Sequence, residues 1–398
     1  MADRVTVIGW DGSPLSQTAQ AALDAATLVV GGTYQLANLK IPTGADRMAL
    51  GSVELAARRV ADHRGTAVVV AEGDPGFFGV VRTLRRPEHG LELEVLPAVS
   101  SVAAAFARAG MPWEDAQVVS THGRGLRRAV NVCRAYPKVA VLTAPGAGPS
   151  ELALMLRDVH RTFVVCEALG TPDEEVTVLT SDRVADRLWR DPNVVLVVGG
   201  SPREPVPASG WLAGRPLDFP APERGWAFEA DPGSARGYGE LPAAVRALVL
   251  ARLGPRPGDL LWDVGAGTGT IALDAARAGA AVIAVDQDAD ACVRLDAAAR
   301  RYGVELQTVH GTAPAALSDL PEPDVVLVHG GAEILRDCLG RRPERAVVLP
   351  GTLPEVEEVR RAFAEVGYTV DGALLHASPL IEQELRPSTP VFVLWGSR

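Results

Sequence analysis

Short runs of β-branched and aliphatic residues alternate with Ala/Leu/Arg stretches of helical period along most of the chain. Apolar runs of four to eight residues, bounded by Gly, Pro or Asp, read as buried strands. Strands that alternate with helices give α/β units. In the first half the pattern predicts strands at 5–10 (VTVIGW), 28–32, 66–73 (TAVVVAEG), 93–97, 139–145, 162–169 and 193–200. In the second it predicts them at 260–265 (LLWDVG), 281–286 (AVIAVD), 306–311, 325–331, 346–351 and 391–396. Parallel sheets are expected throughout. Residues 202–239 break the rhythm: they are rich in Pro and Gly, carry no sustained apolar period and read as a linker, with Trp211 and Trp226 as the side chains to dock it. The halves do not repeat one another. The expected organisation is an α/β domain over 1–201, a linker over 202–235 and a second α/β domain over 236–398.

Composition narrows the function. With 398 residues, 47% of them hydrophobic, and a mean hydropathy of +0.11, the chain can bury more than one core and has no disordered profile. A net charge of −10 argues against a general nucleic-acid or anionic-membrane binder. Lys40 and Lys138 are the only lysines, so an acidic ligand would be met by arginine forks. Cys133, Cys166, Cys292 and Cys338 show no CxxC spacing and read as buried thiols of a reducing compartment. There is no signal-peptide pattern and no apolar stretch near the ~18 residues of a membrane span, so a cytoplasmic protein is expected. The seven histidines have no paired spacing, and no metal site is expected.

The sharpest local signal lies at 260–286. A buried strand runs into Gly265, Gly267 and Gly269, then a helix, then a second strand ending at Asp286. Glycines there allow a tight turn and let a ligand approach the backbone, and a strand-end carboxylate can take both ribose hydroxyls. A dinucleotide fingerprint asks for GxGxxG, but Thr270 stands at the third position and the glycines fall as GxGxG. DVGAGTG (263–269) resembles the first motif of the Rossmann-like methyltransferases that use S-adenosyl-L-methionine (SAM). That class ends in an antiparallel edge hairpin, for which 373–381 and 391–397 are the candidates.

The first half offers turns without a phosphate-loop spacing: Gly9 and Gly12 after the first strand, EGDPGFFG (72–79), a helix started by Ser100 or Ser101, and VVSTHGRG (118–125). Ser13 or Ser16 would cap the first helix. Spacing alone leaves each of these open as a turn, a cap or a solvated surface. In this order, VIGWDGSP, GGTYQL, AEGDPGFFG, PAVSSVAAAFARAGMPW and VSTHGR closely resemble the tetrapyrrole (corrin/porphyrin) methyltransferases over residues 3–200. In the second half RPGDLLWDVGAGTGTIALDAAR (256–277), 299–317 and 323–331 resemble a precorrin C15-methylating, decarboxylating domain. The chain as a whole resembles the family of fused precorrin-6Y C5,15-methyltransferases.

That resemblance implies a tetrapyrrole-methylase domain of two α/β subdomains followed by a Rossmann-like domain. It implies methyl transfer from SAM to carbons 5 and 15 of a precorrin, loss of the ring-C acetate as carbon dioxide, and precorrin-8 as product in cobalamin biosynthesis. SAM contacts are implied for Gly73, Asp74, Pro75, Gly76, Ser100 and Ser101 in the first half. In the second they fall on Asp263, Gly265, Ala266, Gly267, Thr268, Gly269, Asp286, Gly311, Thr312 and Ala313. The chain departs from the family in reading GWDGSP at the first turn, Thr312 for an aspartate, and HGGAE at 329–333. An alternative is that only the first domain methylates, the second being a divergent SAM-binding or assembly module. The reduced macrocycle is itself nucleophilic, so the protein mainly aligns the partners. His122, Arg124, Arg127 and Arg128 are the candidates to grip the substrate in the first half, and His329 and Glu333 in the second. His310 reads as a strand-end residue. The family also implies a homo-oligomer.

Overall fold

The computed structural model describes residues 4–123, 125–199, 241–378, 380–381, 384–385 and 389–398. The expected linker at 202–235, with Trp211 and Trp226, and Arg124 of the HGRG turn lie outside the described residues. The first five strands are β1 (Arg4–Trp10), β2 (Leu28–Gly31), β3 (Asp46–Ala49), β4 (Thr66–Glu72) and β5 (Leu93–Leu96). They form one parallel sheet in the order β3-β2-β4-β1-β5. Alternation along the strands sends Val5, Val7, Val30 and Val69 into one core and Ile8, Val29, Val68 and Val70 into the other. Both faces are covered, which is why 66–71 reads as a nearly unbroken apolar run.

The next sheet holds β6 (Gln117–Ser120), β7 (Lys138–Leu142), β8 (Arg161–Glu167), β9 (Glu175–Thr180) and β10 (Asn193–Gly199), in the order β6-β7-β10-β8-β9. Only β6 and β7 are parallel; β10 pairs antiparallel with β7 and β8, and β8 with β9. This corrects the expectation of parallel sheets throughout. The connection between β8 and β9 is too short to hold a crossover helix, so the chain must reverse direction. Strands β3 and β9 were not visible in the apolar pattern. Both are sheet edges, and β9 turns Val176 and Val178 to solvent.

The second half is one sheet built from β11 (Leu260–Val264), β12 (Ala281–Asp286), β13 (Gln307–His310), β14 (Val325–Val328), β15 (Arg345–Val348), β16 (Thr369–Leu375) and, after a short ladder of β17 (Leu380–Ile381) with β18 (Glu384–Leu385), β19 (Val391–Ser397). Its order is β13-β12-β11-β14-β15-β19-β16, with the first five strands parallel and the last two antiparallel. The expected hairpin is therefore present between β16 and β19, but β16 begins at Thr369, before the apolar segment. Trp262 of β11 is fully buried in the core of this sheet.

One helix carries most of the docking between the halves, with Arg161 of β8 adding a contact to Glu305 at 3.4 Å. Leu126–Ala135, which follows β6, buries Ala135 in the core of the second sheet. Arg128 pairs with the fully buried Asp259 and, at 2.8 Å, with Glu344, while Arg345 Nη2 reaches Asp259 at 3.0 Å. Arg127 Nη2 stands 3.0 Å from Asp324, and the Asn131 amide donates to Asp324 at 3.2 Å and to the Gly258 carbonyl at 3.0 Å. Burial works against the charge of Arg128, yet Asp324, Asp259 and Glu344 together raise its pKa. Asp259, Asp324 and Glu344 each precede a strand. The first half therefore seals the edge of the second sheet where its parallel strands begin.

Candidate functional site

In the second half the parallel strands end on the opposite edge, and there the glycine turn sits. Gly265, Gly267 and Gly269 all take positive φ (+80°, +56° and +68°), and Gly269 opens the helix Thr270–Arg277. A Cβ on Gly269 would lie 2.3 Å from Leu295, so its absence lets the turn close on the neighbouring helix. At Gly267 nothing but the Gly265 carbonyl lies within 4 Å of where a Cβ would point; this face is open for a ligand. Asp286, at the end of β12, accepts from the Gly267 N–H at 2.7 Å and from the Asp288 N–H at 2.9 Å. The carboxylate thus ties the glycine turn to the next loop.

Asp263, at the end of β11, is 1% exposed, and among the described residues neither of its carboxylate oxygens accepts a hydrogen bond. His329, just past β14, brings Nε2 to 3.3 Å from Asp263 Oδ1 without hydrogen-bond alignment. A buried carboxylate without donors is expensive, and it is retained where a cationic or donor group completes it. Glu333 lies exposed in the first turn of the helix Ala332–Gly340. Gly311, Thr312 and Ala313 form the turn after β13, with Thr312 exposed. His310 ends β13 with Nε2 3.1 Å from the Gln287 carbonyl, which agrees with the strand-end reading.

The first-half site is assembled from four separated segments. A cavity of about 250 Å³ opens between the two sheets, lined among others by Asp11, Glu72, Gly73, Ser101, Arg108 and Gly170. Gly12, at φ +89°, brings the turn after β1 against the loop after β8: a Cβ there would lie 1.8 Å from the Gly170 carbonyl oxygen. Gly73 has φ +60°, and Asp74 Oδ1 accepts from the Gly76 N–H at 2.8 Å, which holds the GDPG turn. Ser100 caps the helix Ser101–Ala109, its hydroxyl accepting from the Ala103 N–H at 3.1 Å. Ser16 caps the first helix in the same way.

Charge inside this cavity is uneven. Burial works against the Asp11 carboxylate, yet the Ser13 and Val99 N–H groups outweigh it and hold its pKa below the usual value. Glu72 has no such donors, and desolvation raises its pKa. Arg108 is paired with Glu174; that hydrogen bond raises the arginine and lowers the glutamate.

Several candidates go elsewhere. Arg127 and Arg128 are not free to grip a substrate, because their helix turns them onto Asp324, Asp259 and Glu344 of the second half. His122 is exposed, with Nδ1 3.3 Å from Ser120 Oγ, and is not among the residues lining the cavity. His89 lies beside Glu54 and Glu88, a grouping that chain spacing did not show, but Arg86 already supplies a cation 2.8 Å from Glu54 and 3.6 Å from Glu88. All four cysteines are buried and unpaired; burial pushes Cys133 and Cys338 up to about 12 and Cys166 up to about 11. Glu72, Asp11 and Arg108 were missed because no short motif joins residues so far apart.

Comparison with known proteins adds to this geometry. The family described as tetrapyrrole (corrin/porphyrin) methylases matches residues 11–185, and that described as a precorrin methyltransferase domain matches residues 240–387. A precorrin-6Y C(5,15)-methyltransferase (decarboxylating) of Sinorhizobium sp is 35% identical over 334 residues, covering 81% of this chain and 77% of the relative. A cobalt-precorrin-7 C(5)-methyltransferase of Salmonella typhimurium is 31% identical, covering 41% of this chain and 82% of the relative. A probable cobalt-precorrin-6B C(15)-methyltransferase (decarboxylating) of Pyrobaculum calidifontis is 33% identical, covering 33% and 73%. No helix among the described residues is long and apolar enough to cross a membrane.

Proposed function

The chain belongs to the family of precorrin-6Y C(5,15)-methyltransferases (decarboxylating), and we infer that it methylates a precorrin twice from SAM, at carbons 5 and 15, and removes the ring-C acetate as carbon dioxide. The product is precorrin-8, in cobalamin biosynthesis. The first domain, 1–201, carries the carbon-5 step, and the second, 236–398, carries the carbon-15 step and the decarboxylation, with 202–235 as linker.

When bound, SAM supplies an electrophilic methyl group on a sulfonium. The residues present fit such a molecule. In the second domain the open face of Gly267, flanked by Gly265, Ala266, Thr268 and Gly269, admits the ligand to the backbone, and Asp286 stands where a ribose would be held. Gly311, Thr312 and Ala313 border the same edge. Asp263 carries the reading furthest: a buried carboxylate beside a glycine turn, accepting no hydrogen bond from any described residue and with only the His329 ring near it at 3.3 Å, suits a ligand with a cationic end. In the first domain Gly73, Asp74, Pro75 and Gly76 with Ser100 and Ser101 form the cradle, on a cavity that both sheets wall. We propose His329, held beside Asp263, and Glu333 as the polar groups that meet the macrocycle in the second domain, and Arg124 in the first, with His122 outside the cavity lining. The exposed edge of β9, with Val176 and Val178, supports a homo-oligomer.

Catalysis here is alignment. The macrocycle supplies the nucleophilic carbon and serves as electron sink for the decarboxylation, so the protein has to orient two ligands and hold the acetate out of bulk water. Incubation of the chain with precorrin-6Y and SAM, read by mass spectrometry, tests this. Two added methyl groups with one carbon dioxide lost are expected. A product with one methyl and an intact acetate would contradict the role given to the second domain.

A further inference from the structure

Methylation of a macrocycle carbon that carries hydrogen is a substitution, so a proton has to leave. The methyl moves from the sulfonium to the carbon, and the sulfur–carbon electron pair stays on sulfur. The carbon then carries both hydrogen and methyl, and the macrocycle bears a positive charge. Conjugation returns when the carbon–hydrogen bond breaks, its electrons re-entering the ring and its proton passing to a base. The first-half cavity holds three described carboxylate or guanidinium groups in its lining: Asp11, Glu72 and Arg108.

Two of these are already committed. Asp11 accepts from the Ser13 N–H at 3.0 Å and from the Val99 N–H at 3.4 Å, which fixes the turn after β1. Arg108 is paired with Glu174, whose Oε2 also accepts from the Gly170 N–H at 2.8 Å. Nearby Asp74 is occupied with the Gly76 N–H. Glu72 ends β4 beside Trp10 of β1 with its side chain exposed onto the cavity, and its carboxylate makes no hydrogen bond or ion pair with any described residue.

We propose that Glu72 is the catalytic base of the first domain, accepting the proton displaced from carbon 5. The inference rests on the reading of this domain as the carbon-5 methyltransferase. Two carboxylates in one cavity have environments that push them apart. Backbone donors lower Asp11, while desolvation alone raises Glu72. Asp11 is held as a fixed acceptor of backbone donors, while the Glu72 carboxylate lies open to the cavity and free to take a proton. A carboxylate with a raised pKa is the better proton acceptor, and it can release the proton to water at the cavity mouth.

Glu72→Gln in the full chain tests the assignment, with Glu72→Asp as the conservative variant. General-base loss is worth roughly 10²- to 10⁴-fold. The glutamine variant is expected to slow carbon-5 methylation by at least about a hundredfold through kcat, with KM for the macrocycle nearly unchanged. Calorimetric SAM affinity is expected to stay within about twofold of the unmodified chain, and the aspartate variant to recover part of the rate. Deuterium at carbon 5 is expected to slow the glutamine variant more than the unmodified chain, because carbon–hydrogen cleavage has become limiting. A carboxyl ¹³C resonance lost in Glu72→Gln is expected to titrate above the usual glutamate range. Methylation at unchanged rate in Glu72→Gln, or a loss confined to KM or SAM affinity, would overturn the proton role. If the unmodified chain places no methyl at carbon 5, the underlying reading fails and this inference with it.

Discussion

The two ligand edges of this molecule are built on opposite plans. In the second half one βαβ unit, residues 260–286, supplies the glycine turn, the buried Asp263 and the strand-end Asp286. Chain neighbours make the site, and the open face of Gly267 leaves backbone accessible there. In the first half the cavity lies between two sheets and takes residues from Asp11 to Gly170, so its shape depends on tertiary approach. The second plan concentrates its chemistry in a motif; the first spreads it over a fold. The docking helix Leu126–Ala135 meets the second sheet at the strand starts, and the glycine turn lies at the strand ends. The second site therefore faces away from the interface, and each edge should fail alone.

The largest expected effect is at Gly12. Its φ of +89°, and the 1.8 Å that would separate a Cβ at this position from the Gly170 carbonyl oxygen, leave no room for a side chain. Gly12→Val is expected to abolish carbon-5 methylation by prying the sheets apart, while carbon-15 methylation persists. Mass spectrometry of the macrocycle checks both in one experiment, and equal loss of the two would break the contrast. The matching change on the other edge is Gly267→Val. There the space is open but φ is +56°, so a branched residue strains the turn and obstructs the ligand. Carbon-15 methylation should be lost and carbon-5 methylation kept, with circular dichroism unchanged.

A smaller effect is expected at the joint. Arg128→Ala leaves the buried Asp259 with Arg345 and Arg256 and removes one of the links to the first half, while those of Arg127, Asn131 and Arg161 remain. Losing a charge-assisted hydrogen bond of this kind costs about 1.5–3 kcal/mol. Thermal unfolding is expected to separate toward two transitions, and a single unshifted transition would show that Arg128 does not couple the halves. The smallest is Ser100→Ala, which removes a helix cap worth about 1 kcal/mol. It should lower stability and weaken SAM binding to the first domain only slightly, as denaturant titration and calorimetry would show.

Legibility followed the same division. The strands and glycine turn of the second half were readable because buried parallel strands are continuous apolar runs and the turn is contiguous. Edge strands β3 and β9 were not readable, since they expose side chains and lack that run. Strand direction in the sheet from β6 to β10 was not readable either, because a periodicity of two is the same for parallel and antiparallel pairs. Arg127 and Arg128 look like a ligand grip beside a glycine turn. Nothing in their own segment says that their helix packs on residues from Gly258 to Glu344. Glu72 stood inside a recognised motif, but its lack of donors, set against the donors of Asp11, is a property of the folded cavity.

The claim that the two edges are separate SAM sites is tested most directly by calorimetric titration of SAM into the full chain and into Asp286→Ala. Two sites per chain are expected, with one surviving in Asp286→Ala at unchanged affinity, because Asp286 ties only the second glycine turn. One site in the unmodified chain, abolished by Asp286→Ala, would contradict the account.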